Sequence, residues 1–347
     1  MNHHFDNVIG TGGIGKGFFF LSDDNNTLGR SESRLVKQSN VKDYCKLHIV
    51  FHYIAKLLRN KASVYPIGYV GNDAYGSEML SEMRRAGMNI RYVGVAEQYP
   101  TALSICLQYP DKEGCNFTVG NSAAIMVTPE YIRRTLSHLN LNRNSILAAI
   151  PEVSFESRVE LLKKGRQVGG FCVLSITKGE AEQLHNSHAL QYCDLLAVNL
   201  EEAEAIAGNA IDEQSVAAKL WKYAAVSNPT IAVIVTCGPN GAYVCTTERV
   251  EHIPPVPSIV ANTSGAGDAF LGGTLAALAL GYPLQKGTDD TCFAETPLAS
   301  AAELGALCAG VAVECEDSIA AHLSAHFLFQ KIRQQNWSKE PYFLETR

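Results

Sequence analysis

The chain has 347 residues, of which 46% are hydrophobic and 18% charged, as in a folded globular protein. No apolar run approaches the ~18 residues of a membrane helix, and no charged segment followed by an apolar one opens the chain, so we expect a cytoplasmic protein. A net charge of −6 without a Lys/Arg run argues against nucleic acid as a partner. The ten cysteines form no C-x-x-C pair and are expected to be buried, reduced thiols.

Short β-branched runs alternate with helical patterns along the chain, which is typical of an α/β fold with a mostly parallel central sheet. The run 230–238 is continuously apolar, as expected of a strand buried on both faces. Near the C-terminus, 317–337 has the period of an amphipathic helix. The other strands are predicted at 63–71, 144–150, 171–176 and 194–199, and helices at 73–87, 155–168 and 200–208.

Two segments interrupt this rhythm and predict antiparallel hairpins. Residues 14–40 contain three consecutive phenylalanines before the turn SDDNN, and residues 101–119 turn at PDKEG. Such strands, inserted into a parallel core, would form a small lid over one edge of the sheet. Lids of this kind exclude water from a site.

A glycine-rich stretch, GTGGIGKG, raises the question of a nucleotide site near the start of the chain. Gly10, Gly12 and Gly15 match the dinucleotide motif G-x-G-x-x-G, and Lys16 almost completes a phosphate-binding loop. The first motif requires a helix directly after the glycines, but FFFLSDDNN has no helical period. The second requires Ser or Thr after the lysine, where this chain has glycine. We therefore predict a strand-to-lid bend made possible by the permissive backbone of glycine.

A second stretch, NTSGAGDAFLGG, is the stronger candidate for a phosphate site. Gly265, Ala266 and Gly267 lead into a helix rich in Ala and Leu, so their backbone amides are expected at its N-terminus without acceptors. Asp268 lies in the first turn. A carboxylate beside such amides can accept a hydroxyl proton while the amides stabilise phosphoryl charge. The alternative is a glycine-rich cap whose aspartate only complements the helix dipole.

This stretch resembles the signature D-T-x-G-A-G-D-x-F of the ribokinase-like, or pfkB, carbohydrate kinases. GYVGNDAYG (68–76), NLEE (199–202) and TCGPNG (236–241) also resemble family motifs, in the family's order. The resemblance covers about 60–315.

The resemblance implies a ribokinase-like three-layer α/β core with a mostly parallel central sheet and a small β lid. We expect a single kinase domain over 1–347. Its lid would be formed by about 12–40 and 99–120, and its core by 41–98 and 121–337.

The resemblance also implies an ATP-dependent phosphotransferase acting on a hydroxyl of a small sugar, sugar acid or nucleoside. Asp268 would be the general base, and the amides of Gly265, Ala266 and Gly267 would form the anion hole. ATP and Mg²⁺ would be the cofactors, while a monovalent cation such as K⁺ and a homodimer through the lid are compatible with the family. The residues implied for the nucleotide side are Asn199 and Glu202, which would hold Mg²⁺ through water, with Thr236, Gly238, Gly241, Ala302 and Gly305.

The substrate side departs from the family pattern. Family sugar kinases have an early Asp after the first strand and a later G-G-x-x-x-N opening a helix; this chain lacks that Asp and has VKDYCKLHIVFHYIAKLL (41–58) in place of the second motif. The helix is retained there, but its sugar-binding face differs. The candidate substrate residues are Gly12, Gly13, Lys16, Asp43, Lys46 and His48. The two lysines and the histidine would suit an acidic or phosphorylated substrate, although lysines on a helix are commonly solvated.

Three alternatives follow from the same residues. The altered substrate segments would suit a non-catalytic regulator that binds a metabolite or nucleotide on the same scaffold. Aromatic residues near the lid would suit an adenosine-kinase-like nucleoside kinase. An NAD-dependent dehydrogenase is supported only by the failed G-x-G-x-x-G motif.

Overall fold

The computed structural model describes residues 4–111, 114–286 and 298–334. Within these ranges the strands form one sheet of nine and one of five. The strands are β1 (Asn7–Thr11), β2 (Gly15–Leu21), β3 (Lys37–Gln38), β4 (Asp43–Tyr44), β5 (Ser63–Gly71), β6 (Val93–Ala96), β7 (Ala102–Gln108), β8 (Gly114–Thr118), β9 (Ser145–Ala149), β10 (Phe171–Ser175), β11 (Leu195–Asn199), β12 (Ala232–Thr236), β13 (Ala242–Cys245) and β14 (Val250–Ile253).

Helices connect these strands, and across the described ranges every helix is too short or too polar to cross a lipid bilayer. The predicted helices at 73–87, 155–168 and 200–208 are confirmed to within a residue. The helices are α1 (Lys46–Leu58), α2 (Ala74–Ala86), α3 (Pro129–Leu136), α4 (Phe155–Val168), α5 (Ala181–Asn186), α6 (Leu200–Ala207), α7 (Glu213–Ala225), α8 (Ala266–Ala279), α9 (Ala301–Val313) and α10 (Ala325–Gln334).

The nine-stranded sheet of the described residues is mostly parallel, which confirms the predicted α/β class. Its order is β14-β13-β12-β11-β10-β9-β1-β5-β6. The pairs from β12 to β6 are parallel, whereas β13 and β14 run antiparallel to their neighbours. Parallel neighbours need crossover connections, and the intervening helices supply them.

Both faces of this sheet are buried, so the core has three layers. Along β11, Leu195 and Ala197 pack on one face, while Leu196 and Val198 pack on the other. The first face is covered by α1, α2, α8, α9 and α10, and the second by α3 to α7. Strands buried on both faces read as continuous apolar runs, which is why the sequence pattern located them.

The second sheet fits the predicted lid. Its order is β3-β2-β7-β8, with β4 also pairing with β2. Both predicted hairpins are confirmed, and parallel pairing of β2 with β7 over residues 15–21 and 102–108 joins them. The division of 1–347 into one domain with this lid stays a prediction, and residues 1–3, 112–113, 287–297 and 335–347 lie outside the described ranges.

The stretch GTGGIGKG connects β1 to β2, and no helix follows it, as predicted. The predicted reason for its glycines is wrong, because none of the glycines from 10 to 17 has a positive φ. They provide space instead. A Cβ on Gly15 would overlap the Ala102 carbonyl, and a Cβ on Gly17 would overlap the Asp43 carboxylate. Strand β2 can therefore lie close to its neighbours β7 and β4 in the lid sheet.

The segment 41–58 is helical only from Lys46 onward. Asp43 and Tyr44 form β4 instead, in antiparallel register with Gly17 and Lys16 of the lid. The preceding residues are thus held by the lid sheet, and α1 begins where that pairing ends. This arrangement places Lys46 at a helix N-terminus next to the lid.

The C-terminal helix is shorter than the predicted 317–337, of which the last three residues lie outside the described ranges. Asp317 accepts the Lys42 N–H (2.8 Å), and the Ser318 N–H donates to the Lys42 carbonyl (3.0 Å). The hydroxyl of Ser324 then accepts a backbone N–H from the first turn of α10 (3.1 Å). Tertiary hydrogen bonds thus hold Asp317 and Ser318 against Lys42 outside a helix, and α10 begins only after Ser324.

The contact between α1 and α8 gives a first prediction, the effect of Gly272→Ala. A Cβ at Gly272 would lie 2.7 Å from the Val50 carbonyl oxygen and 2.8 Å from the Tyr53 Cβ. Overpacking costs about 1–3 kcal/mol. We expect this cost to outweigh the ~1 kcal/mol that alanine gains over glycine in a helix, because a backbone oxygen cannot move aside alone. Denaturant unfolding should show a lower free energy of unfolding.

Gly179→Ala is the matched control, because a Cβ there would meet no atom within 4 Å. We expect its free energy of unfolding to change by less than ~0.5 kcal/mol. Equal effects of the two substitutions would contradict the packing explanation.

Candidate functional site

The site lies where the carboxyl ends of parallel strands meet the N-terminus of α8. Ligands of open α/β sheets bind outside this edge. Asn199 and Thr236 are direct partners at the ends of β11 and β12. A Cβ on Gly267, in the first turn of α8, would lie 3.8 Å from the Thr236 hydroxyl and would meet no closer neighbour. The structure therefore brings the predicted anion hole next to the predicted nucleotide strand ends.

The N-terminus of α8 is built by backbone rather than by a capping side chain. Its N-cap is Gly265, with a φ of 76°, and no side chain caps the helix. A Cβ on Gly265 would overlap the Ser318 carbonyl oxygen, so the position requires glycine for its backbone and for space. The Ala266 N–H has a long contact with the Thr263 carbonyl (3.3 Å). The next amides belong to the first turn, where no intrahelical acceptor exists.

The loop before α8 is fixed by Asn262, which stands where the family signature has Asp. Its side-chain oxygen accepts the Ser264 N–H (3.0 Å), and its amide nitrogen donates to the Glu316 carbonyl (2.7 Å). These bonds hold the loop between the core and the segment that follows α9. The amides of α8 are thus presented in one orientation.

Asp268 points from the first turn of α8 toward Lys46 of α1. The Lys46 Nζ lies 3.7 Å from the Asp268 Oδ1, and the Asp268 side chain is 16% exposed. Burial raises the pKa of Asp268, and the neighbouring ammonium partly offsets this rise. A carboxylate with this environment can take up a proton more readily than a solvated one.

Carboxylates from several elements raise the pKa of Lys46. Asp268 contributes most to the rise of its pKa, followed by Glu202, Glu152 and Asp43. Its backbone N–H donates to the Glu152 Oε2 (2.9 Å), which ties the start of α1 to the segment after β9. Lys46 therefore stays protonated near pH 7, and its positive charge offsets part of the negative charge of these carboxylates.

Glu152 is a site residue that the sequence reasoning missed. Burial raises its pKa to about 7, and Lys46 partly offsets the rise. Its backbone has a φ of 76°, which is uncommon for a residue other than glycine. A Cβ on Gly13 would overlap its carboxylate. The signal was present in the sequence, since Glu152 follows the predicted strand 144–150, whose carboxyl end faces the site.

Asn199 and Glu202 form a reciprocal capping box at the start of α6. The Asn199 N–H donates to the Glu202 Oε2, and the Glu202 N–H donates to the Asn199 Oδ1, both at 2.8 Å. Glu202 is 7% exposed, and burial raises its pKa. Within the described part of the chain, no three His, Cys, Asp or Glu side chains cluster to hold a metal. Mg²⁺ is commonly bound by one or two carboxylates with water and phosphate, which Glu202 fits.

The remaining predicted nucleotide residues fall into two groups. Gly238 and Gly241 form a turn after β12 with φ values of 54° and 84°, and Gly238 faces open space. Ala302 and Gly305 lie buried on α9, where a Cβ on Gly305 would overlap the Thr274 hydroxyl of α8. The structure thus gives Gly305 a packing role, and the nucleotide role of this pair stays a prediction.

The predicted substrate residues are only partly brought together. Gly12 packs against Ile150, and Gly13 against Glu152, at the base of the cleft. The Ser264 hydroxyl donates to the Asp43 Oδ1 (3.3 Å), which links the lid base to the loop before α8.

Lys16 and His48 have other partners. The Lys16 Nζ pairs with the Glu78 Oε2 at 2.8 Å and lies over the Tyr75 ring. His48 is 1% exposed beside Tyr44, and burial lowers its pKa to about 3. In the described part of the chain, neither side chain forms a hydrogen bond or an ion pair with Asp268.

Comparison with known proteins gives the family. Residues 50–325 match the sequence model described as pfkB family carbohydrate kinase. The chain therefore belongs to the pfkB family of carbohydrate kinases and, as a member, is a phosphotransferase. It is 27% identical over 250 residues to a fructokinase from Klebsiella pneumoniae, covering 70% of this chain and 78% of that protein. It is 26% identical to a deoxyribokinase from Salmonella typhi, covering 58% of this chain and 64% of that protein.

Solved structures confirm the ribokinase-like fold. A ribokinase from Giardia lamblia superposes with a TM-score of 0.76 at 18% identity, covering 92% of this chain and 98% of that one. Arabidopsis thaliana ribokinase, complexed with ribose and ATP, has a TM-score of 0.71 at 16% identity, covering 95% and 99%. A nucleoside kinase from Burkholderia thailandensis, in complex with inosine, has a TM-score of 0.68 at 17% identity, covering 95% and 98%.

The buried imidazole of His48 gives a prediction about stability and pH. Its Nδ1 has no partner in the described part of the chain. Its pKa is about 3 in the folded protein, against ~6.5 in an unfolded chain. Below pH 6.5 the unfolded state binds the proton and the folded state does not. The contribution of His48 to the free energy of unfolding is therefore fully present above pH 6.5, and acidification below that pH lowers it by ~1.4 kcal/mol per pH unit.

The measurement compares denaturant unfolding at pH 7 and pH 5 for the wild type and His48→Leu. We expect the variant to lose ~2 kcal/mol less than the wild type between these pH values, because it lacks this proton uptake. His188→Asn, at an exposed position, should keep the wild-type pH dependence. The same pH dependence in all three proteins would contradict the effect.

Proposed function

We propose that the protein transfers the γ-phosphoryl group of ATP to a hydroxyl of a small uncharged sugar or nucleoside, with Asp268 as general base. The single observation that carries this proposal is Asp268 itself, in the first turn of a helix whose uncapped N-terminus lies next to the end of β12. A base and an anion hole on one rigid element suit phosphoryl transfer, which depends mostly on positioning and charge stabilisation.

The proposed step uses groups of this chain in defined roles. Asp268 accepts the proton of the acceptor hydroxyl as that oxygen bonds to the γ-phosphorus. The bond between the γ-phosphorus and the bridging oxygen breaks, and ADP leaves. The amides of Gly265, Ala266 and Gly267 donate to the phosphoryl oxygens as their charge develops. Mg²⁺, when bound, would neutralise phosphate charge, and Glu202 would hold it, with Asn199 keeping that carboxylate in place.

The distribution of charge supports an uncharged acceptor. The sequence expectation of an acidic or phosphorylated substrate relied on Lys16, Lys46 and His48. Lys16 is paired with Glu78, and the buried His48 stays neutral near pH 7. The ammonium of Lys46 already lies 3.7 Å from the Asp268 carboxylate. Of the three residues, only Lys46 lies beside the proposed base, and an anionic acceptor group would find no second cation among them to bind.

The names of the relatives support the same class. Fructokinase and deoxyribokinase are named for uncharged sugars, and one structural neighbour holds ribose and ATP. Another structural neighbour holds inosine. In this chain, the ring of Phe18 in the lid contacts the ring of Tyr75 edge-on, with 5.7 Å between the ring centroids. These partly exposed aromatic rings at the lid keep a nucleoside acceptor as the second candidate.

The test is ADP release from ATP and Mg²⁺ across a panel of acceptors. The panel contains fructose, ribose, deoxyribose and inosine, with gluconate and ribose 5-phosphate as charged members. We expect turnover on an uncharged acceptor, and a decrease in kcat of at least ~100-fold in Asp268→Asn, the lower end for loss of a general base. The folded stability of the variant should be retained.

Asp212→Asn is the matched control, because Asp212 caps the N-terminus of α7 and accepts the Ser215 N–H. Among the described residues, its side chain forms this helix-capping hydrogen bond, which is the kind of role that the alternative interpretation gives to Asp268. Wild-type turnover in Asp268→Asn would refute the general-base role. Absence of turnover in the wild type, with a raised Tm in ATP or a sugar, would favour the regulator.

A further inference from the structure

Lys46 is the first residue of α1, and among the described residues it forms the ion pair with Asp268. Its Nζ is 3.7 Å from the Asp268 Oδ1, beyond the distance of a direct hydrogen bond. The side chain is about one-third exposed. The side chain is therefore partly accessible, and its ammonium has donors that Asp268 does not use.

The backbone at Lys46 is held on both sides. The residue before it, Cys45, donates its N–H to the Gly15 carbonyl of the lid (3.1 Å). The Lys46 N–H donates to the Glu152 Oε2 (2.9 Å). The stem of the lysine therefore starts from a fixed point between the lid and the segment after β9.

The surrounding charge keeps an ammonium at this point. Asp268 comes from α8, Glu202 from α6, Glu152 from the segment after β9 and Asp43 from β4. The Asp268 carboxylate lies beside the ammonium, and the Glu152 carboxylate accepts the backbone N–H of the same residue. An ionised carboxylate repels an incoming phosphoryl group, which is itself an anion, so a cation beside the base favours its approach.

We propose that Lys46 is a further catalytic residue, whose ammonium contacts the oxygens of the transferring phosphoryl group opposite the amides of α8. The proposal rests on the proposed function. A hydroxyl that bonds to Asp268 while it attacks phosphorus brings the phosphoryl oxygens next to that carboxylate. An ammonium 3.7 Å from the same carboxylate is then beside the reacting atoms. Lys46 keeps its proton throughout, and the hydroxyl proton passes to Asp268.

The test separates a contact with the γ-phosphoryl group from a purely structural ion pair. Calorimetry measures the dissociation constants of ADP and of the non-transferable analogue AMP-PNP, each with Mg²⁺ and without acceptor. We expect Lys46→Met to weaken AMP-PNP binding on the order of 10-fold, because a charge-assisted hydrogen bond is lost, and to leave ADP binding unchanged. Lys46→Arg should restore most of the AMP-PNP affinity.

Lys42→Met is the matched control. Lys42 also forms an ion pair of 3.7 Å, with Glu82, but its side chain is 54% exposed. We expect both affinities to equal those of the wild type. Thermal unfolding of each variant without ligand checks that the fold is retained.

Two outcomes would overturn the role of Lys46. Unchanged AMP-PNP and ADP affinities in Lys46→Met, with lowered kcat, would show that the lysine only positions Asp268. An equal loss of both affinities would place its contact elsewhere on the nucleotide. If the wild type binds neither nucleotide, the proposed function fails together with this inference. The two outcomes above concern the variant alone and leave the proposed function standing.

Discussion

The backbone amides at the start of α8 are the constraint around which the rest of the site is arranged. No side chain caps them, because the N-cap Gly265 takes a left-handed φ directly beneath the Ser318 carbonyl, where a side chain would overlap. A conventional N-cap side chain would satisfy these donors and close the position to a ligand. The fold instead fixes the loop from outside, through the two side-chain hydrogen bonds of Asn262. Helix N-terminal amides that no side chain caps favour binding of an anion.

Electrostatic balance follows from this arrangement. The acidic residues of the cleft come from separate parts of the chain, and burial raises the pKa of Asp268, Glu152, Glu202 and Asp43. Lys46 compensates this charge from α1, which begins directly after strand β4 of the lid sheet. Because like charges in a low-dielectric cleft repel strongly, the lysine and the carboxylates depend on one another.

Close approach of backbones couples the lid to the same site. Gly15 and Gly17 leave no space for a Cβ against Ala102 and Asp43, so β2 lies directly on β7 and β4. Asp43 then reaches the loop before α8 through Ser264. Part of a glycine stretch that resembles a nucleotide motif therefore serves close packing of strands within the lid sheet.

The sequence by itself determined the elements and the signature, because both depend on local chemistry. Apolar runs located the parallel strands, the glycine at 87 ended α2, and the N-x-x-E spacing formed the capping box of Asn199 and Glu202. The family and its α/β fold were predicted from these motifs. The roles assigned to individual site residues stay predictions.

Only the tertiary structure decided which charged groups meet. Glu152 and Lys46 are separated by 106 positions along the chain, and their contact depends on how β9 and α1 are placed around β1. The helical period of 317–337 was overridden where Asp317 and Ser318 bond to Lys42. Periodicity and caps are properties of a few neighbouring residues, whereas pairing across crossovers follows from the packing of the whole sheet, and no local pattern encodes it.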